Sequence, residues 1–354
     1  MSRRIVVKVG SSSVTGPDGL PNTDLLMALA GELESLRADG WEAVVVSSGA
    51  VAAGWATIGG GEDRPTDVAV LQAVSAVGQH RLMSTWASAF EAQGRTVGQV
   101  LLAPHDFTDR RQYLHARQTF STLLSLGVVP VVNENDAVAD DEIRFGDNDR
   151  LAALVSHLVG ADRLVMLTDA PGLLTADPRL DQEASLIEIV TEVDASLEAV
   201  AGGTTGVGSG GMASKLAAAR IASFSGVEAV IADARLEGVL TLIDANPRTV
   251  GTTFVARQHD LSARRLWIAF AVAPAAHLRV DAGAQAALVD RGGSLLAAGV
   301  SEVTGAFLEG DAVEIHGSDG SLVGKGLARC SAEELEAGVG SLVVVHRDDL
   351  VLLG

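Results

Sequence analysis

Three stretches of the chain combine charge, amide groups and glycine in patterns that suit anion chemistry. The first is Val6-Val7-Lys8-Val9 followed by Gly10-Ser11-Ser12-Ser13. A lysine near the end of a buried apolar run is expensive unless it meets an anion, although it can also snorkel to solvent. The second is Gly208-Ser209-Gly210-Gly211-Met212-Ala213-Ser214-Lys215, at the start of a helix. Glycines let the main chain approach phosphate oxygens, and hydroxyls, N–H groups and the helix start all favour negative charge. Lys215 is placed to reach a terminal phosphate as a point charge. A flexible loop before an ordinary helix has the same composition. Gly210 and Gly211 stand too close to Lys215 for the G-x-x-x-x-G-K-[ST] spacing, and Leu216 follows it, so a different phosphate cradle is expected. The third stretch, residues 131–149, carries Asn133-Glu134-Asn135-Asp136 and Asp147-Asn148-Asp149. Amides can donate to a carboxylate, and carboxylates can hold an ammonium group or a metal. The same residue types also form turns and caps.

What is missing narrows the chemistry. No histidine sits in these strand-end clusters, and no serine sits in a nucleophile elbow. An enzyme without an evident base or nucleophile points to phosphoryl transfer, where positioning and charge stabilisation dominate. It also points to an acceptor that is already anionic, since a carboxylate needs no deprotonation at neutral pH.

The elements that must position these groups alternate regularly. Apolar strands are expected at residues 5–9, 43–46, 97–102, 128–132, 163–167 and 229–232. Helices are expected at 24–37, 67–93 (broken near Gly78), 111–126, 151–159 and from Lys215 to 225, with an edge strand at 187–190. Sustained alternation implies one α/β domain with a mainly parallel sheet and ligands at the carboxyl ends of its strands. From residue 277 the texture changes to short strands with glycine-containing turns, a β-rich module near the minimum size for independent folding. The expected boundaries are 1–256 for the α/β domain, 257–276 for a connector and 277–354 for the module.

Composition fits that division. The 354 residues are 47% hydrophobic but only 4% aromatic, so the core must be aliphatic and alanine-rich. A net charge of −19 argues against a general nucleic-acid or anionic-membrane surface. A single cysteine, Cys330, fits a reducing cytosol and reads as a core residue. The N-terminus runs directly into a strand with no signal-type stretch, and residues 266–276 are too short to span a bilayer, so a cytoplasmic location is expected.

Taken together, the motifs resemble the amino-acid kinase family, and within it the branch that acts on free glutamate. The resemblance is carried by VVKVGSSS from Val6, SSGAVAAG from Ser47, AVGQ from Ala76, NENDAV from Asn133, FGDND from Phe145, LTD from Leu167, GLLTADPR from Gly172 and GSGGMASK from Gly208. The C-terminal module resembles a PUA domain through GGSLLAAGV from Gly292, VTGAF from Val303, GDAVEI from Gly310 and VVVHRDDL from Val343. The resemblance implies a three-layer αβα sandwich with a mainly parallel sheet, followed by a small PUA-like barrel. It implies ATP-dependent phosphorylation of the L-glutamate side-chain carboxylate, the first step of proline synthesis. By the same resemblance, Lys8 and Lys215 neutralise the phosphoryl group and Asp149 orients them. Ser48, Asp136 and Asn148 hold glutamate, with Asn133 and Asp147 nearby. Lys8, Thr168, Asp169 and the loop Ser209, Gly210, Gly211, Met212, Ala213, Ser214 and Lys215 contact ATP. Mg²⁺ is expected on the phosphates. Proline is expected as a competing inhibitor, a homo-oligomer as the assembly, and glutamyl phosphate reductase as the receiver of the product. Leu174 departs from the family pattern, standing where an aromatic residue is usual beside the nucleotide.

Two other readings compete. One is a kinase of the same family acting on aspartate or acetylglutamate. The other is RNA binding through the C-terminal module, but residues 277–354 hold twelve acidic residues against five basic ones, the wrong sign for phosphate contact.

Overall fold

Strand β1 (Arg3–Val9) buries Ile5, Val6, Val7 and Val9 on both of its faces, as a central strand of a parallel sheet must. In the computed structural model it lies between β2 (Trp41–Ser47) and β5 (Arg163–Thr168), parallel to both. The described residues are 3–61, 63, 65–103, 106–107, 109–138, 148–177, 181, 183–200, 211–258, 261–338 and 342–353. The candidate residues Asp147, Ser209 and Gly210 lie outside them. The chain divides into two compact units, Met1–Asp260 and Leu261–Gly354.

In the first unit, β1 is followed by a single helical turn, α1 (Ser11–Val14), and by α2 (Thr23–Ala38). After β2 come α3 (Ala50–Thr57), α4 (Val68–Glu91), β3 (Val97–Leu102), α5 (Arg110–Ser125) and β4 (Val129–Glu134). Then follow α6 (Asn148–Val159), β5, β6 (Ile189–Val190), α7 (Ala195–Val200), α8 (Met212–Phe224), β7 (Glu228–Asp233), α9 (Val239–Ala245) and β8 (Gly251–Phe254). The sheet order is β3-β4-β2-β1-β5-β7-β8-β6. The first six of these run parallel; β8 is antiparallel to β7, and β6 is parallel to β8. Helix starts follow local chemistry: Asn22, Asp67 and Asp109 each accept main-chain N–H bonds from the first turn of α2, α4 and α5.

Successive strand residues face opposite sides of the sheet. On one side Val7, Val9 and Val45 pack with Leu29, Leu33, Leu82, Trp86 and Leu240 of α2, α4 and α9. On the other, Lys8 meets Asp149 of α6, so helices cover both faces and the expected αβα layering is present.

Two expectations need correction. Gly78 does not break a helix; α4 is continuous from Val68 to Glu91. Its glycine serves close packing instead. A Cβ on Gly78 would stand 1.7 Å from Ala50 O, and one on Gly54 would stand 1.7 Å from Val74 O. Backbone therefore meets backbone where α3 crosses α4. Second, Asn133 and Glu134 are not turn residues. They continue β4, in register with Leu101 and Leu102 of β3.

The second unit starts with α10 (Ala263–Leu266) and a π-helical turn at Trp267–Ala271. It continues with β9 (Ala276–Val280), α11 (Ala282–Val289), β10 (Leu295–Leu296), β11 (Val300–Gly305), β12 (Ala312–His316), β13 (Leu322–Ala328), α12 (Ala332–Glu336) and β14 (Val343–Leu352). These strands form one bulged sheet in the order β10-β14-β13-β12-β9-β11, antiparallel except for β9 with β12. Cys330 is buried in its core, where desolvation and then Glu334 and Glu309 push its thiol up, as suits packing rather than reactivity. Among the described residues, no helix is long and apolar enough to cross a membrane.

The α3–α4 crossing yields a test. Gly54→Ala or Gly78→Ala forces two backbones apart and should destabilise the first unit by about 1–3 kcal/mol or more. A thermal melt reads this as a lowered midpoint, and an unchanged midpoint would contradict the close contact.

Candidate active site

The carboxyl ends of β1, β2 and β4 lie side by side; β2 ends in Ser47 and β4 in Glu134, and Lys8 stands one residue before the end of β1. Lys8 on β1 is buried, and its Nζ stands 2.6 Å from Asp149 Oδ1. Asp149 is in the first turn of α6, only 1% exposed. Its Oδ2 accepts from Lys215 Nζ at 3.2 Å and from Ser214 Oγ at 2.6 Å. Lys215 sits in the first turns of α8 and is also buried. One carboxylate thus bridges two buried ammonium groups, Lys8 of β1 and Lys215 of α8, the second 66 residues along the chain from Asp149 itself.

Burial alone pushes the Asp149 carboxyl up. The charges of Lys8 and then Lys215 oppose it, together with hydrogen bonds from Lys8 and Ser214, and the net direction is down. Asp149 therefore stays ionised at neutral pH. The three groups carry a net positive charge next to a helix N-terminus, where a further anion is favoured.

A second cluster adjoins this one. Asn133 Nδ2 donates to Gln79 Oε1 at 2.7 Å, joining β4 to α4. Glu134 N donates to Asn148 Oδ1 at 3.2 Å, tying the end of β4 to the residue before Asp149. Ser48 is buried; its N–H donates to Val9 O at 3.2 Å. Gly49, with φ 100°, then turns the chain into α3, a conformation that glycine adopts without strain. Trp86 Nε1 donates to Ser47 Oγ at 2.9 Å and pins the end of β2 to α4. Between these elements lies a pocket of about 290 Å³, lined by Ala50, Ser75, Gln79, Glu134, Asn135 and Asp136, with His80 at its wall.

The candidate residues therefore fall into groups. Lys8, Ser214 and Lys215 all contact Asp149. Asn133, Asn148 and Asp136 gather at the end of β4, beside Ser48 in the turn that follows β2. Thr168 and Asp169 end β5, next to β1 in the sheet, and Thr168 Oγ1 donates to Asp169 Oδ1 at 3.2 Å. Arg235 Nη2 donates to Asp169 O at 2.7 Å, bringing a cation to that strand end. Gly211, Met212 and Ala213 form the cap and first turn of α8. Gln79 closes the AVGQ motif, but the sequence assigns no role to it or to Ser75 and His80. Ser75 and Gln79 lie four apart on α4, a buried polar pair on an apolar face, and that spacing was a usable signal.

Residues 3–233 match the amino acid kinase family. This chain belongs to that family. Residues 276–347 of this amino acid kinase match the PUA domain. A glutamate 5-kinase of Mycobacterium tuberculosis is 45% identical over 360 residues, spanning 99% of this chain and 94% of its own. The glutamate 5-kinase of Mycobacterium avium is 43% identical, spanning 99% of this chain and 97% of its own. A solved structure of isopentenyl phosphate kinase aligns with 72% of this chain and all of its own, with a TM-score of 0.50 and 20% identity, a likeness of fold.

The carboxylate bridge sets a pH-dependent expectation. The folded value of Asp149 lies below its unfolded one of about 3.9. Its stabilisation is therefore complete above pH about 4 and lost as the pH falls through the folded value. Asp149→Asn should cost about 3–5 kcal/mol at pH 7, because two buried ammonium groups lose their counter-charge. Thermal melts of both proteins should show that gap at pH 7 and its narrowing below pH about 4.

Proposed function

We propose that this chain catalyses ATP-dependent phosphorylation of the γ-carboxylate of L-glutamate, giving L-glutamyl 5-phosphate at the entry to proline biosynthesis. The observation that carries the chemistry is the Lys8–Asp149–Lys215 bridge beside the pocket at the end of β4. The choice of glutamate rests on the near full-length similarity to glutamate 5-kinases.

In this reading a γ-carboxylate oxygen attacks the γ-phosphorus of ATP, the bond to the β–γ bridging oxygen breaks, and ADP leaves. The attacking carboxylate is already ionised at neutral pH, so no general base is required. Lys8 and Lys215 stabilise the charge on the transferring oxygens, and Asp149 holds both ammonium groups in place before the substrates arrive. Ser48, Asp136 and Asn148 hold the α-amino and α-carboxylate groups, with Asn133 positioned by Gln79. Thr168, Asp169 and the start of α8 face the nucleotide. ATP is taken as its magnesium complex. Both oxygens of Asp149 are engaged by Lys8, Lys215 and Ser214, so that carboxylate would not be offered to the ion, which when bound would help to neutralise the phosphate charge.

An ATP-dependent hydroxamate assay with glutamate, aspartate and N-acetylglutamate tests the assignment. Product is expected from glutamate, and activity confined to either of the other acids would overturn it. Lys215→Ala should lower kcat about 10²- to 10³-fold; equal activity would mean the site is misplaced. Proline shares the α-amino and α-carboxylate groups of glutamate, and we expect it to raise the apparent KM for glutamate without lowering the maximal rate. Indifference to high proline would refute that part.

A further inference from the structure

The outer face of the second unit carries a set of ligating side chains that the kinase reaction does not use. His277 on β9 and Glu314 on β12 are direct register partners across the parallel pair, and His316 lies two residues beyond Glu314 on the same face. His277 Nδ1 stands 3.1 Å from Glu314 Oε2, and His316 Nε2 stands 3.4 Å from the same oxygen. One ligand atom from each of the three residues falls within 4.8 Å of the others. Bonds of 2.0–2.2 Å to a tetrahedral ion separate its ligand atoms by roughly 3.3 Å, so two edges are already close to that length.

The histidine chemistry points the same way. His316 Nδ1 lies 3.4 Å from Gly320 O. A carbonyl only accepts, so this contact keeps the proton on Nδ1 and the lone pair on Nε2. That Nε2 is buried and makes no hydrogen bond within the described residues. Orientation of a ligating imidazole by a main-chain carbonyl behind it is a recurrent feature of metal sites. The two imidazoles tilt at 52° with centroids 5.5 Å apart, leaving their nitrogens convergent on Glu314. Among the described residues, Arg279 pairs with Glu302 at 3.4 Å, and Lys325, the register partner of Glu314 on β13, donates to Val272 O. The acidic excess of the surrounding module also favours a cation.

We propose that His277, Glu314 and His316 form a binding site for a divalent transition-metal ion, with zinc as the fitting class. Two imidazoles and one carboxylate suit zinc, with solvent in the fourth position. The ion joins β9 to β12 and stabilises the second unit by mass action. The site uses none of the phosphoryl-transfer residues, and it is independent of the substrate assignment.

The test uses the full chain, stripped with a chelator and desalted, then titrated with Zn²⁺ against a chromophoric competitor. One zinc per chain is expected, with a raised thermal midpoint, and Co²⁺ should give the visible absorption of a tetrahedral centre. His277→Gln, Glu314→Gln and His316→Gln should each weaken zinc binding at least about tenfold. Their stripped forms should melt and phosphorylate glutamate like stripped wild type, which separates lost ligation from lost folding. If wild type takes up no zinc, or if all three variants compete for it as well as wild type, the cluster is a surface ion-pair group and the proposal falls.

Discussion

Two ammonium groups buried against one another's charge repel, and burial removes the water that would screen them. Asp149 removes that difficulty from within the fold. The consequence reaches well beyond three residues. β1 must end where α6 begins, α8 must start at the same point, and the sheet must set all three at one edge. The depressed carboxyl of Asp149 is the electrostatic record of that convergence.

The same helix start joins the two halves of the site. Asn148 takes the main-chain N–H of Glu134, while its neighbour Asp149 takes the lysines. Phosphate handling and acceptor binding are therefore set by adjacent residues of one turn. Neither half can shift along α6 without moving the other. The pocket wall is fixed from the opposite side by α4, through Gln79 with Asn133 and Trp86 with Ser47.

Much of this was legible in the chain itself. Continuous Val and Ile runs gave away the buried parallel strands, and Lys8 was conspicuous because a charge there demands a partner. The glycine-rich approach to Lys215 and the Asn-Asp clusters marked the strand and helix ends. Less was legible where meaning depends on a partner element. Gly78 looks like a helix breaker until α3 is laid against it. Gln79 looks like an ordinary helical residue until β4 brings Asn133 to it. β8, with the sequence Gly-Thr-Thr-Phe, has little apolar signature and is defined by pairing with β7. His277 and His316 lie 39 positions apart in sequence, and only the parallel pairing of β9 with β12 makes them neighbours.

The glycine pair at the α3–α4 crossing has an evolutionary consequence. Every other amino acid is larger than glycine, so neither Gly54 nor Gly78 can drift, and no exchange at one relieves a change at the other, because each faces main chain. Ser75 and His80, on the same helix, face the pocket under no such restriction. The crossing is a fixed pivot beside adjustable positions. Divergence in acceptor preference can accumulate at the pocket wall while the frame that carries it stays the same.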